Sequence, residues 1–376
     1  MIGLGLSLTT RAVLGLSFNP LSLFAAGEQG ILIDPSDLST LFTDTAGTTP
    51  VTAPGQTAAL ALDKSGRGNQ LTQSVAAARP IYGRHPARGY VNQLVNSDTV
   101  VTQNVTVAGV AMTLSFTGTG TVTLSGASTA GPLVGTGAND RVSLAFTPSA
   151  GTLTLTVSGD VRLGQLERGT LTAYQRTGAG NGLAFPRPVS YDITEAGQPS
   201  LHYLFCDGLA RWMVSPTITP GTDKAQVFAG LRNLNSLVAA LVEFSPSTAA
   251  NNGAFIIAPR ESVANYLFSS KGTISAQVRT PANYTPPISN VVTGLGDISG
   301  DTSTIRVNGA QVATSATDQG TGNYLAYPLY IGSRAGTSLF FNGLIYSIIV
   351  RFGPNLPLAT IQQVERWTAQ KTGVTL

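Results

Sequence analysis

The sequence predicts an all-β protein made of packed antiparallel sheets, and three observations carry that prediction. Apolar residues make up 42% of the 376 positions and charged residues only 11%, with 42 glycines. A chain this rich in glycine, threonine, serine and valine favours extended strands joined by tight turns. Residues 100–170 alternate apolar and polar side chains almost without a break, as half-buried strands do. A single stretch near the carboxy terminus, 357–373, has convincing helical spacing.

The elements follow in order. The opening run MIGLGLSLTTRAVLGLSFNPLSLFAA has the look of a signal peptide, but Asn19-Pro20 breaks it. An apolar arm fits better. Leu4, Leu6, Leu8, Val13, Leu16 and Phe18 are too many apolar side chains to leave in water, and they are the expected assembly contacts. Leu4, Leu6 and Leu8 alternate with Gly5 and Ser7, which suits a strand added to the sheet edge of another copy or another protein. No run reaches the 18 or so apolar residues of a membrane-spanning helix, so none is expected.

Residues 31–44, ILIDPSDLSTLFTD, begin as a strand, turn at Asp34-Pro35 and offer Ser36 or Asp37 as a cap. A Gly-rich turn follows in DKSGRGN (63–69), then the loop RPIYGRHPARG (79–89). Between 100 and 170, Val142, Leu144 and Phe146 are expected to share one face of a small sheet, as are Leu153, Leu155 and Val157. From 185 onward QVFAGLRNL, LVAALVEFS, GAFIIAP, NYLFSS and ISAQVRT recur at the spacing of sandwich strands. Val307-Asn308-Gly309 reads as a hairpin turn. In the closing helix Pro357 stands at the start and Gly373 at the end, with Ile361, Val364, Trp367 and Ala359 on the apolar face.

TIRVNGAQVA, PLYIGSR, FFNGLIYSIIV and ATIQQVERWTAQKTGV together resemble the last strands and helix of a concanavalin A-like (laminin-G type) jelly roll. The longer runs LFAAGEQGILIDPSDLSTLFTDTAGTTP, GTGANDRVSLAFTPSAGTLTLTVSGDVRLGQLERG and YLFCDGLARWMVS are similar to a group of tailed-phage and prophage virion proteins. In relatives lacking the alternating unit, a DKSG-type turn is soon followed by a DG strand. Here DKSGRGN and CDGLARW are far apart. The resemblance therefore implies a jelly roll interrupted by a small inserted antiparallel β-sandwich. Its expected parts are an amino-terminal arm at 1–24, a discontinuous jelly roll at 25–89 and 185–376, and an insertion at 90–178. DGLAR stands where that family has DGVDD, which removes two acids and weakens a calcium site there. The resemblance also implies a virion location and partnership with other virion proteins and with copies of itself, a trimer by analogy.

Composition narrows the chemistry. A net charge of +3 is too small for a nucleic-acid partner, and Arg79, Arg84 and Arg88 are interrupted by Pro and Gly. Cys206 is the one cysteine, and His85 and His202 are the two histidines, so neither a zinc site nor a Cys-His or Ser-His-Asp centre is expected. Jelly-roll glycosidases place acid and nucleophile on one strand at a fixed separation. The close pairs Asp34/Asp37, Asp192/Glu195 and Asp297/Asp301 all lie in turn-like contexts, so no catalytic residue is assigned, and the expected protein has no cofactor and no metal. GDISGD (296–301) reads as a plain turn rather than a calcium loop. Sugar binding needs an aromatic platform with amides or guanidinium groups. Trp212, Tyr266, Arg232, Asn233 and Asn235 are the candidates, with cell-surface polysaccharide as the ligand class. Two rivals remain: a secreted or surface bacterial carbohydrate-binding protein, and a polysaccharide depolymerase, which the missing acid pair disfavours.

Overall fold

The structure is a computed structural model that describes residues 18–181, 189–260 and 264–376. It is nearly all β: an antiparallel sandwich of two large sheets interrupted by a smaller antiparallel sandwich, with one α-helix among the described residues, near the carboxy terminus.

Two sheets form the main sandwich. The eight-stranded sheet is centred on Asn342–Phe352, which pairs with Lys224–Asn233 on one side. On its other side it pairs with Gln29–Ile33 along one half and with Ser200–Asp207 along the other. Ile81–Pro86 extends the sheet beyond Ser200–Asp207. Chain from both sides of residues 90–178 is thus woven into one sheet. The nine-stranded sheet does the same, since Leu71–Thr72 bonds to Met213–Ile218.

Alternation decides what faces what. Ala225, Val227, Ala229 and Leu231 point from one strand into the space between the sheets, where they meet Val242, Phe244, Phe255, Ile257 and Phe268 of the other sheet. Gln226, Phe228 and Arg232 point the opposite way. Asn308 (φ 49°) and Gly309 (φ 81°) both occupy the left-handed region, the geometry of a two-residue hairpin turn.

Residues 103–168 form their own pair of sheets, of three and four strands, and every ladder in them closes within that range. Leu114 lies between Leu144 and Leu166, and Phe116, Leu153 and Leu155 complete a separate core. The chain enters and leaves this unit side by side, with the Asn96 and Ser97 amides donating to the carbonyls of Gly178 and Thr177. Beside that neck, Gln175–Thr177 pairs with Ile193–Glu195. Arg88 binds Glu195 at 2.6 Å, and Asp192 holds both Arg84 and Arg176.

The helix runs from Leu358 to Thr372 between Pro357 and Gly373 (φ 70°). It lies on the outer face of the eight-stranded sheet, where Ile361 and Val364 pack on Leu32, Phe228 and Ile349. Its buried side is more polar than its spacing suggests. Glu365 is buried and takes both oxygens to Arg306 at 2.8 and 3.0 Å. Ala359, expected on the apolar face, is exposed because it precedes the first turn that touches the sheet.

The amino-terminal expectation needs correction for residues 18–24. Leu23 and Phe24 are buried, and Phe18 half-buried, against this same face of their own sandwich. Arg351 Nε donates to the Leu23 carbonyl and Arg67 Nη2 to that of Phe24, so the segment is pinned in place. Leu4, Leu6, Leu8, Val13 and Leu16 lie outside the described residues.

Candidate functional site

The outer face of the nine-stranded sheet is built from the residues that alternate with the core. In register across it stand Thr72, Val214, Tyr330, Glu243, Ile256, Ser269 and Gln277. A cavity of about 510 Å³ opens on this face, lined by Thr248, Ile256, Leu267, Ser269, Gln277, Arg334 and their neighbours. Its floor is apolar, formed by Ile256, Ala258 and Leu267 with Leu339 beside them. Its rim is polar.

One carboxylate stands beside that floor, next to Ile256 in the register. Glu243 has no exposed surface. An unpaired buried carboxylate is costly, and here it is paired and hydrogen-bonded. Thr248 donates from its amide at 2.7 Å and from its hydroxyl at 2.8 Å, while Arg334 Nε reaches the two oxygens at 3.1 and 2.9 Å. The turn that brings Thr248 back starts at Ser245, whose φ of 135° is rare for a residue with a side chain. Lys271 donates to the carbonyls of Thr248 and Ala249. Arg279 donates to the Gln277 side-chain oxygen at 2.6 Å.

An aromatic pair stands next to the cavity. Tyr330 neighbours Glu243 in the ladder, and its ring lies 6.0 Å from that of Trp212 at 38°. The indole is half-buried. Its backbone is held by Ala78, which accepts from the Trp212 amide, and by Gln73, which donates to the Trp212 carbonyl. Gly336 (φ 68°) lies so close to the indole that a Cβ there would collide with it, so glycine is required on both counts. Partial burial pushes the Tyr330 phenol up from its usual range.

The other sugar-binding candidates do not join Trp212. Tyr266 is 1% exposed and points into the core, where its hydroxyl accepts from Asn290 at 2.9 Å. Its ring has no free face for a ligand. Arg232 lies on the outer face of the opposite sheet, over the Tyr90 ring. Asn233 is buried at the end of the same strand. Asn235 turns its side-chain oxygen to the amide of Leu237. Sequence reasoning missed Glu243, Thr248, Lys271 and Arg334. The available signal was Glu243 itself, a single acid inside the apolar run LVAALVEFS.

The acid pairs are engaged elsewhere. Asp34 is buried and bonds to Lys371 and Ser36. Asp297 accepts from Lys224, Asn355 and the amide of Gly300, so an ammonium sits beside the turn weighed for calcium. His85 is buried with its ring between Tyr346 and the Pro86 carbonyl, and desolvation lowers its pKa to about 4. Burial likewise pushes the Cys206 thiol up. Among the described residues no group of three or more His, Cys, Asp or Glu is placed to hold a metal, and no helix is long and apolar enough to cross a membrane.

No protein-family model matches the chain. No curated protein matches it in sequence. Among solved structures, it is similar to the CBM40 module of the Ruminococcus gnavus IT-sialidase bound to α2,3-sialyllactose, at 14% identity and TM-score 0.32, over 40% of this chain and 97% of that one. It is similar to the NanB sialidase of Streptococcus pneumoniae at 17% identity and TM-score 0.31, over 37% of this chain and 23% of that one. It is similar to the receptor-binding domain of botulinum neurotoxin mosaic serotype C/D at 10% identity and TM-score 0.35, over 44% of this chain and 42% of that one. The chain thus spans less than half of the last two proteins. These values describe a partial likeness of β-sandwiches and bring no activity with them.

Proposed function

We propose that this protein is a non-catalytic glycan-binding component of a tailed-phage or prophage virion. The observation that carries the binding half is the groove on the nine-stranded sheet. An apolar floor, a polar rim and an adjacent half-exposed Trp212–Tyr330 pair match a sugar, which has apolar ring faces and polar edges. The virion half rests on the sequence runs that resemble phage structural proteins. The non-catalytic reading is supported by the engagement of Asp34, Asp192, Glu195 and Asp297 in ion pairs, and by Glu243 being sealed under Arg334.

Two measurements test this. Binding of the purified protein to a panel of bacterial polysaccharides, read by biolayer interferometry, is expected to be saturable and weakened in Trp212→Ala, with no release of reducing ends. Mass spectrometry of purified particles from the source strain is expected to find the protein at stoichiometric abundance. Absence from particles removes the virion half and leaves the binding half standing.

A further inference from the structure

The cavity's hydrogen-bonding capacity is lopsided. Each of its side-chain acceptors, and the two rim carbonyls, already receives a hydrogen bond. Both Glu243 oxygens are covered by Thr248 and Arg334, and the residue has no exposed surface. The Gln277 side-chain oxygen accepts from Arg279. The carbonyls of Thr248 and Ala249 accept from Lys271. Ser269 and Ser275 bond to one another at 3.0 Å. What remains toward solvent are donors. Arg334 spends Nε on Glu243, while Nη1 and Nη2 make no hydrogen bond among the described residues. Lys271 is tied to the rim through the carbonyls of Thr248 and Ala249 and retains a further proton, and the Gln277 amide nitrogen makes no hydrogen bond among the described residues.

Sugar hydroxyls both give and accept hydrogen bonds, so a site for neutral sugars needs acceptors as well as donors. A rim whose uncommitted charged groups are all donors favours a ligand that accepts strongly. The charges agree. Lys271 and Arg279 have no carboxylate partner among the described residues, and no carboxylate lines the cavity there. Glu243 holds Arg334 from behind through Nε and leaves the outer edge of the guanidinium as a fixed fork, the geometry that grips carboxylate, sulfate or phosphate through two parallel bonds.

Resting on the glycan-binding reading above, we infer that this cavity selects an anionic sugar residue bearing carboxylate, sulfate or phosphate, with Arg334 as its principal ligand and Lys271 as a second.

The test uses matched probes that differ only in charge: hexagalacturonate against its full methyl ester, α2,3-sialyllactose against lactose, and dextran sulfate against dextran. Binding is measured for the full chain, for the double variant Arg334→Gln/Glu243→Gln, which removes both members of the buried pair together, and for Lys271→Gln on the rim. The expected result is tighter binding of the charged member in at least one pair, by about 10- to 100-fold, the range of hydrogen bonds to an ionised group. The double variant should bring that ratio close to one, and Lys271→Gln should reduce it. Equal binding of charged and neutral members overturns the inference and leaves glycan binding intact. Charge preference unchanged in both variants also overturns it, since the anion then binds elsewhere. No binding of any probe, charged or neutral, removes the inference and the reading beneath it together.

Discussion

The outer face of the eight-stranded sheet lies under the helix, residues 18–24 and a cluster of rings around Tyr203 and Tyr346, while the outer face of the nine-stranded sheet opens, among the described residues, into a cavity. Both faces come from the same alternation, and the difference lies in which residues it presents. The covered face shows Leu32, Phe228 and Ile349, which gain roughly 1.5–3 kcal/mol each by leaving water. The open face shows, beside its small apolar floor, the exposed Ser275 and Gln277, which gain nothing by being covered. A buried ion pair marks each face. Arg306–Glu365 locks the helix down and is sealed on both sides, whereas Arg334–Glu243 is sealed on the carboxylate side only. The same chemistry serves anchoring in one place and leaves a free cationic edge in the other.

The sharpest way to break this comparison is to remove one carboxylate from each pair. Glu365→Ala strands Arg306 in the interior and is expected to cost about 3–5 kcal/mol in urea unfolding. Glu243→Ala leaves Arg334 partly solvated and should cost clearly less. Equal losses would mean that the two faces do not differ as described.

Acid should strain the covered side next. His85 sits there among Tyr90, Tyr203 and Tyr346. Its pKa is lowered from 6.5 to about 4, so the folded state favours the neutral ring. Its contribution is fully present above pH 6.5 and is lost as pH falls from there through 4. At 1.36 kcal/mol per unit the loss is about 3 kcal/mol. Stability measured across that window should fall in the parent and fall less steeply in His85→Gln.

On the open side, Trp212→Ala should weaken glycan binding by roughly 1–3 kcal/mol while moving the unfolding midpoint little. A large stability loss without an affinity change would make Trp212 a packing residue. The smallest effect is expected from replacing residues 91–174 with a short Gly-Ser linker. The Gln175 side chain donates to the Gly89 carbonyl at 2.9 Å, so the cut ends are already adjacent. The main sandwich should keep its unfolding transition, with the transition of the 103–168 core gone. Collapse of both would show that the two cores fold as one.

Strands and turns were legible because their signals are local. The period-two run at 100–170, the Asn308-Gly309 turn and the Pro357 and Gly373 boundaries each depend on a few neighbouring residues. The site was not legible, because it depends on which face of a sheet is left uncovered. Tyr266 and Trp212 are both large aromatics near strands, and only pairing across the sheet sends one inward and leaves the other at the surface. Arg334 follows an Ile-Gly strand end and Glu243 sits far from it in sequence, so their bond is a product of the ladder between their strands. The packing of Phe18, Leu23 and Phe24 was missed for a related reason. Apolar residues at a terminus need cover, and the sheet of their own chain supplied it.

Phe18 and the last residues of the chain share one side of the molecule, since the helix that ends at Thr372 crosses the same face that receives Phe18 and Leu23. A support gripping the protein at Phe18 or at the end of the helix would therefore hold the sandwich with its cavity turned outward. Copies mounted side by side in this way would present a field of identically oriented cavities. A contact too weak to retain one copy can hold a particle when many engage together, because each bound site raises the effective concentration of ligand at the next.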